Sequence, residues 1–184
     1  MISVLGFNTN SNELLEVLNK IKCNYLIAET EDEILTSNKL FIPPCDDLSL
    51  LLKKLNRSNL YQFIKMLKKD VLFIGKSMAL LCEKCKEVQL PTFCMINNEI
   101  DNVIKDDLFH EVEILEKDKL FKDIDNSLLY FDCFFEMKNL SNSLAKLKDK
   151  EVTVAIKKNN FYGVMFRPEL SGEVGIQVIK NFLE

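Results

Sequence analysis

The chain has 184 residues, of which 47% are hydrophobic and 28% are charged. This length is enough for one domain with a substantial core, and neither fraction points to disorder. The formal net charge is −4, and the acidic and basic residues are interspersed along the chain. No basic face for a phosphate backbone is therefore predicted, which argues against nucleic acid as a partner.

No apolar run approaches the roughly 20 residues that a membrane span requires. The opening stretch, MISVLGFNTN, lacks the basic region and the longer apolar region of a signal peptide. We therefore expect a cytoplasmic protein with no membrane partner. The cytosol keeps thiols reduced, so the six cysteines are expected to be free rather than paired in disulfides.

Short apolar strands alternate with amphipathic helices in the first half of the chain. Asn10 and Glu13 have the spacing of a capping box at the start of the first helix. Fully apolar strands that are separated by helices predict a parallel sheet covered on both faces. The predicted strands are 2–7, 24–28, 39–43 and 71–74, and the predicted helices are 10–22, 46–55, 58–69 and 77–87.

After about residue 90, strand-like runs follow one another with only short loops between them. This pattern predicts an antiparallel extension of the sheet, closed by a last helix. The sequence shows no internal repeat and no linker, so we expect a single three-layer α/β domain over residues 1–184. The predicted strands are 110–116, 128–137, 151–158 and 160–166, and the last helix is 172–183.

The candidate functional residues lie in two strand-to-helix turns, because the functional sites of doubly wound sheets lie at the carboxyl ends of the strands. The first turn is Gly75, after the strand 71–74. Many α/β enzymes hold a nucleophile at such a turn, beside helix amides that bind an oxyanion. Gly75 suits the backbone of this turn but offers no nucleophile. The second turn is Arg167-Pro168-Glu169, which follows the last predicted strand.

The C-terminal stretch FYGVMFRPELSGEVGIQVIKNFLE resembles the ending of class I (triad) glutamine amidotransferases, where G-V-Q-F-H-P-E precedes K-S-G and a helix ending in N-F-L. The glutaminase subunit of imidazole glycerol phosphate synthase is the most similar member. Three further segments resemble motifs of that subunit. Residues 33–55 resemble its D-x-L-I-L-P-G-V-G core, and residues 70–87 resemble its nucleophile strand with P-x-L-G-I-C-L-G-M-Q. Residues 118–135 resemble its P-L-F-x-G-I segment leading into F-V-H-S-Y-Y. The resemblance implies a flavodoxin-like fold.

Carried over residue by residue, the resemblance implies a degenerate catalytic site. The family's nucleophilic Cys falls on Gly75 and its catalytic His on Arg167, so that Glu169 is the only matched triad member. The Gly after Pro in the P-G-V-G loop falls on Pro44, and the His of H-S-Y-Y falls on Asp132. Glycine cannot attack an amide, and arginine cannot act as a base near neutrality. We therefore predict a pseudo-glutaminase without a cofactor.

The resemblance also implies the kind of partner. The family's glutaminase subunit docks on a (β/α) barrel cyclase in histidine biosynthesis, and paralogous subunits serve the amidation of surface sugars. A copy without Cys and His would then be a non-catalytic scaffold or a regulatory subunit in a heterodimer, beside a partner that uses ammonia.

The main alternative is a protein that binds a small anionic ligand in the emptied pocket. Lys76 and Ser77 follow Gly75 at a predicted helix N-terminus, and Arg167 would face them across the pocket. The simpler interpretation of the same residues is a solvated Lys76 and an Arg167 paired with Glu169.

The cysteines leave further alternatives open. Cys82 and Cys85 form a CxxC near the C-terminal end of a predicted helix, where the helix dipole does not lower a thiol pKa, so a redox role is disfavoured. A zinc site would need Cys94 and His110 as further ligands, but these lack a second paired spacing, and no metal is predicted.

Cys45 and Cys133 align with loops at the family's catalytic pocket, and either would be a relocated nucleophile if the lost chemistry had been replaced. Against this, His110 is the only histidine and aligns with no catalytic position. The aromatic run 128–135 is interpreted first as core and second as a partner surface.

Overall fold

A computed structural model describes residues 1–7, 10–137 and 140–184. Strands and helices alternate up to the fourth strand, after which strands predominate. The strands are β1 (Ile2–Leu5), β2 (Tyr25–Ala28), β3 (Lys39–Ile42), β4 (Asp70–Ile74), β5 (Cys82–Cys85), β6 (Ile96–Ile100), β7 (Ile104–Ile114), β8 (Ser127–Phe134), β9 (Ser143–Leu147), β10 (Thr153–Lys158) and β11 (Phe161–Val164). The α-helices are α1 (Asn12–Lys20), α2 (Glu31–Leu35), α3 (Leu48–Arg57), α4 (Leu60–Met66) and α5 (Gly172–Leu183).

Nine of the described strands form one sheet in the order β2-β1-β3-β4-β11-β10-β9-β7-β8. The pairs from β2 to β11 are parallel, and the pairs from β11 to β8 are antiparallel. The central strands β1, β3 and β4 are buried along almost their whole length, as expected for strands covered on both faces. The predicted parallel sheet with an antiparallel extension is confirmed.

Apolar stripes place the helices on the sheet. Leu14, Val17 and Leu18 are the buried residues of α1, and they lie on one face at helical spacing. In α3, four leucines at helical spacing are buried, and the side chain of Asp47 accepts a hydrogen bond from the Leu50 amide at the helix start.

The helix starts differ from the prediction in two places. The predicted capping box of Asn10 and Glu13 is wrong, because α1 begins after Ser11 without a side-chain cap. The Asn10 side chain instead donates from Nδ2 to Asp46 Oδ1 at 2.8 Å. A capping box is present at Thr30 and Glu33, where it opens the short helix α2 that the sequence did not predict.

The predicted helix 77–87 is also wrong. A 3₁₀-helix runs from Gly75 to Leu81, and the chain then forms β5, which pairs with β6 in a small parallel sheet. The segment 92–95 explains the change, because it donates hydrogen bonds to carbonyls that a continuing helix would use. Its Phe93 amide donates to Leu80 O at 2.8 Å, its Met95 amide donates to Leu81 O at 2.8 Å, and its Thr92 hydroxyl donates to Cys82 O at 2.6 Å.

The antiparallel half of the sheet curls back toward the carboxyl ends of β4 and β11. Just beyond β11, the Arg167 amide donates to Tyr130 O of β8 at 2.8 Å, and the Tyr130 amide donates to Ser171 Oγ at 2.9 Å. The Phe131 and Phe166 rings pack edge to face with their centroids 6.0 Å apart. This contact brings β8 to the two turns that the sequence identified.

Candidate functional site

The turn after β4 has the backbone of a nucleophile elbow. Gly75 lies in the left-handed region with φ +60°, which a residue with a side chain adopts only under strain. A Cβ added to Gly75 would lie 3.2 Å from Arg167 Cδ and 3.3 Å from Pro44 Cβ. A side chain at position 75 would therefore point at position 167, the relation that a nucleophile has to its base.

The Arg167 guanidinium lies at the centre of a group of carboxylates. Its Nε donates to Glu169 Oε1 at 2.6 Å, its Nη1 donates to Asp132 Oδ2, and its Nη2 lies 3.6 Å from Glu13 Oε2. The side chain of Arg167 is 6% exposed and that of Glu169 is fully buried. We call Arg167, Glu169, Asp132 and Glu13 the Arg167 cluster.

The electrostatics of the cluster favour a fixed ion pair over proton transfer. Burial lowers the pKa of Arg167, but the adjoining Glu169 and Asp132 more than offset this and raise it overall, so the guanidinium stays charged. Burial raises the pKa of Glu169 despite the attraction of Arg167. Within the described residues, Glu169 Oε2 and Asp132 Oδ1 are buried without a hydrogen-bond partner, so the carboxylates depend on the guanidinium for compensation.

A cleft of about 400 Å³ opens beside the cluster, between the turn after β3 and the start of β7. Pro44, Cys45, Lys76, Asp132 and Cys133 are among the residues that line it. Pro44 has no N–H to direct at an oxyanion, so this wall lacks the donor that a glycine would offer there.

Lys76 and Ser77, the candidate ligand-binding residues, are engaged within the protein. Lys76 Nζ lies 2.8 Å from Glu87 Oε2 and donates to Asp46 O at 3.1 Å, so it is not the solvated lysine of the simpler interpretation. The buried Ser77 hydroxyl lies within hydrogen-bond distance of two backbone carbonyls, Ile42 O at 3.0 Å and Ile74 O at 2.8 Å. Because Arg167 is also bonded to carboxylates, the three residues do not form a free anion site.

Cys45 and Cys133 both line the cleft, but their thiols are not activated. Both side chains are buried. Burial raises the pKa of Cys45 to about 12 and raises that of Cys133 as well. His110 lies on β7, where its Nε2 is 2.7 Å from Asp106 Oδ2 and its ring packs on Phe131. The arrangement offers no thiolate for a relocated triad.

Alkylation tests whether the thiols of Cys45 and Cys133 are unreactive in the folded protein. In native protein at pH 7.5, iodoacetamide is expected to label Cys94, the exposed thiol, and to leave Cys45 and Cys133 unmodified until urea is added. Mass spectrometry of tryptic peptides gives the site and extent of labelling. Native labelling of Cys45 or Cys133 at a rate equal to or above that of Cys94 would contradict the assignment and revive a relocated nucleophile.

The CxxC lies on a strand, so the argument from a helix dipole does not apply to it. Cys82 and Cys85 are buried on β5, and burial raises the pKa of both thiols. In the described ranges, no group of three His, Cys, Asp or Glu side chains is arranged to hold a metal ion. Neither thiol has the low pKa of a redox cysteine.

Sequence similarity decides the family. No family model matches the chain. Over 195 aligned positions it is 30% identical to the imidazole glycerol phosphate synthase subunit HisH of Blochmanniella floridana, with 100% of both chains covered. The chain belongs to the HisH family. HisH of Pectobacterium atrosepticum is also 30% identical, over 86% of both chains. The resemblance inferred from the sequence motifs is thereby confirmed.

Solved structures agree with this HisH-family fold. A crystal structure described as a glutamine amidotransferase superposes with a TM-score of 0.78 at 13% identity, covering 99% of this chain and 96% of the other. PurLQS from Thermotoga maritima superposes with a TM-score of 0.67 at 12% identity, covering 99% of this chain and 96% of that one. The predicted fold class is confirmed. Among the described helices, none has the length and apolar character to cross a membrane.

Glu13 and Asp132 complete the cluster in ways that the sequence did not reveal. The sequence predicts Glu13 in a helix cap, but it approaches Arg167 from α1. The resemblance places Asp132 at a position where the family has histidine, and in the structure Asp132 pairs with the guanidinium. The one signal in the sequence is that the resemblance places an acid, Asp132, and a cation, Arg167, at two positions where the family has histidine.

Proposed function

We propose that this HisH-family chain has no glutaminase activity and serves as a non-catalytic subunit of a synthase that uses free ammonia. One observation supports the proposal above all. The elbow residue is Gly75, with φ +60° and a hypothetical Cβ 3.2 Å from Arg167, whose guanidinium is bonded to carboxylates. The positions of nucleophile and base therefore lie in contact. Gly75 has no side chain that could attack an amide, and Arg167 cannot accept a proton.

Hydrolysis of glutamine by a triad needs a thiolate, a base that forms it, and donors for the oxyanion. Gly75 supplies no thiol. Arg167 is held in its charged form by Glu169 and Asp132, so it cannot accept a proton. Pro44 removes one candidate oxyanion donor from the cleft wall. The nucleophile and the base are thus both missing from this site, together with one candidate oxyanion donor.

The partner we propose is a (β/α) barrel cyclase, because the relatives at 30% identity are subunits of imidazole glycerol phosphate synthase. A sugar amidotransferase is the other partner to test. In either case the single domain of residues 1–184 would act in the cytoplasm as a scaffold or regulator of the partner, without a cofactor or metal of its own.

Reconstitution of the synthase tests the proposal. The chain is purified with the cyclase subunit of the same organism, and product formation is measured with ammonium chloride or glutamine as nitrogen donor. We expect ammonia to support turnover. With glutamine, we expect the complex to show the same rate as the cyclase subunit shows with glutamine in the absence of this chain. Glutamine-dependent turnover above that rate would contradict the proposal. A subunit with an intact Cys, His and Glu triad serves as the positive control.

A further inference from the structure

Two lysine side chains meet at the amino ends of β3 and β4, at the opposite end of the sheet from the Arg167 cluster. Lys39 is the first residue of β3, and Asp70 is the first residue of β4. Lys119 begins the short 3₁₀-helix Lys119–Phe121. The Nζ atoms of Lys39 and Lys119 lie 3.9 Å and 2.5 Å from Asp70 Oδ2. Two cationic groups therefore share one carboxylate oxygen.

The Lys39 ammonium has few partners for a group that is largely buried. Its side chain is 13% exposed. An ammonium group has three N–H donors, and within the described part of the chain the one acceptor bonded to Lys39 is Phe182 O, near the end of α5. Asp70 Oδ2 is beyond hydrogen-bond distance from it. The charge on Lys39 is therefore costly here, and a neutral nitrogen would cost less.

The neighbouring charges favour the neutral amine at Lys39. Burial and the Lys119 ammonium lower the pKa of Lys39 to about 8, and the carboxylates of Asp70 and Glu184 offset this only in part. Burial also lowers the pKa of Lys119, but its hydrogen bond to Asp70 is among the contacts that raise it overall. Lys119 therefore keeps its proton, and Lys39 is the amine that becomes nucleophilic near neutral pH.

The pair is most accessible beside Lys119. The Lys119 side chain is 35% exposed, and it lines a cleft of about 870 Å³ together with Phe121 and Lys122. Lys122 is paired with Glu184 at 2.9 Å. Because Lys39 itself is only 13% exposed, a reagent that reaches it from this side must present a small electrophilic group.

We propose that Lys39 is a modification site that accepts a small acyl group, such as acetyl, from an acyl phosphate or a thioester. The Lys39 nitrogen attacks the acyl carbon and an N–C bond forms, while the bond from that carbon to the phosphate oxygen or to the sulfur breaks. The phosphate or thiolate leaves with the electron pair, and the amine proton passes to solvent. The product is a neutral amide, which leaves Lys119 and Asp70 as a balanced ion pair.

The surroundings of Lys39 match this amide better than they match an ammonium. The single N–H of the amide would donate to Phe182 O, to which the ammonium donates now. The amide oxygen would accept from Lys119, whose ammonium has three donors. This inference concerns the amino ends of the strands and does not rest on the proposed function.

Acetylation rates test the reactivity of Lys39. The chain is incubated at pH 7.5 with acetyl phosphate or, separately, with acetyl-coenzyme A, and peptide mass spectrometry gives the rate at each lysine. We expect Lys39 to react at least about 3-fold faster than the exposed Lys53 and Lys117, because a pKa of about 8 leaves far more neutral amine than the usual value of about 10.4. Fast reaction with one donor alone would identify that donor class. A rate at Lys39 no higher than at the two exposed lysines, with both donors, would overturn the proposal.

Substitution of Lys119 tests whether the pair activates Lys39. Lys119→Gln removes the neighbouring charge and frees Asp70 for Lys39, so it should raise the pKa of Lys39 and slow its acetylation at least about 5-fold. Lys119→Arg keeps the charge and should retain the fast rate. The matched control Lys117→Gln removes an exposed, screened charge and should change the rate less than about 2-fold. Equal rates in Lys119→Gln and the unmodified chain would contradict the activation.

Stability tests the fit of the amide without any change to Lys119. Acetyllysine is incorporated at position 39 and, as a matched control, at position 157, where Lys157 Nζ lies 2.5 Å from Asp118 Oδ2. We expect Tm to stay within about 2 °C of the unmodified value for position 39, and to fall by at least about 4 °C for position 157, which loses a partly buried ion pair. Equal losses at the two positions would show that the surroundings of Lys39 do not suit an amide.

Discussion

Replacing Arg167 by alanine is expected to lower the free energy of unfolding by about 3–5 kcal/mol, the usual cost of removing one partner from a buried ion pair. The guanidinium is bonded to Glu169 and Asp132, and the Glu169 side chain is fully buried. Without Arg167, the Glu169 carboxylate would be left in the core with no opposite charge beside it.

The loss should grow with pH. Burial already raises the pKa of Glu169, and removal of Arg167 would raise it further because the guanidinium is the main group that lowers it. A carboxyl whose folded pKa exceeds its unfolded value contributes stability that is present below the unfolded pKa, about 4.3, and is lost as pH rises through the folded pKa. Arg167→Ala should therefore be less destabilising at pH 5 than at pH 8.

Urea denaturation at these two pH values measures both effects. Arg57→Ala is the matched control, because Arg57 is the chain's other arginine and lies exposed in the last turn of α3. It should change the free energy of unfolding by less than about 0.5 kcal/mol. Equal effects of the two substitutions, or a loss at position 167 that does not depend on pH, would show that the cluster contributes no buried ion pair.

Introducing cysteine at position 75 is expected to destabilise the protein and to confer no glutaminase activity. The left-handed backbone costs a residue with a side chain about 1–2 kcal/mol, and the new Cβ would lie 3.2 Å from Arg167 Cδ. The thiol would face a guanidinium that cannot take its proton. A nucleophile without a base, in a cleft whose Pro44 offers no N–H, should not hydrolyse glutamine.

Gly172 provides the control for this substitution. It has φ +63°, close to that of Gly75, but a Cβ added there meets no atom within 4 Å. Gly172→Cys should therefore show the backbone strain alone, and Gly75→Cys should show the strain together with the crowding by Arg167 and Pro44. Thermal unfolding of both variants gives the difference. An equal loss at the two positions would show that position 75 is not in contact with position 167.

Local patterns in the sequence predict most of the parallel sheet, because fully apolar strands such as 71–74 between amphipathic helices have few other arrangements. They fail at 77–87, where the helical spacing is real but the amides of Phe93 and Met95 compete for the carbonyls of Leu80 and Leu81. This competition arises from a later segment of the chain, so no pattern within 77–87 could indicate it.

The candidate site was predicted only in part. Gly75, Arg167 and Glu169 follow from the motifs that flank them, and the structure places them together. The contributions of Asp132 and Glu13 depend on the curl of the antiparallel strands and on the placement of α1. Both are long-range features of the tertiary structure, which residue spacing does not encode.

The most direct measurement of the central claim is the release of ammonia from glutamine by the complex of this chain with its cyclase subunit. Glu169→Gln in the same complex serves as the control, because it would impair a triad that was still in use. We predict the same background rate for both proteins. Release of ammonia by the unmodified chain well above that of Glu169→Gln would contradict a non-catalytic subunit.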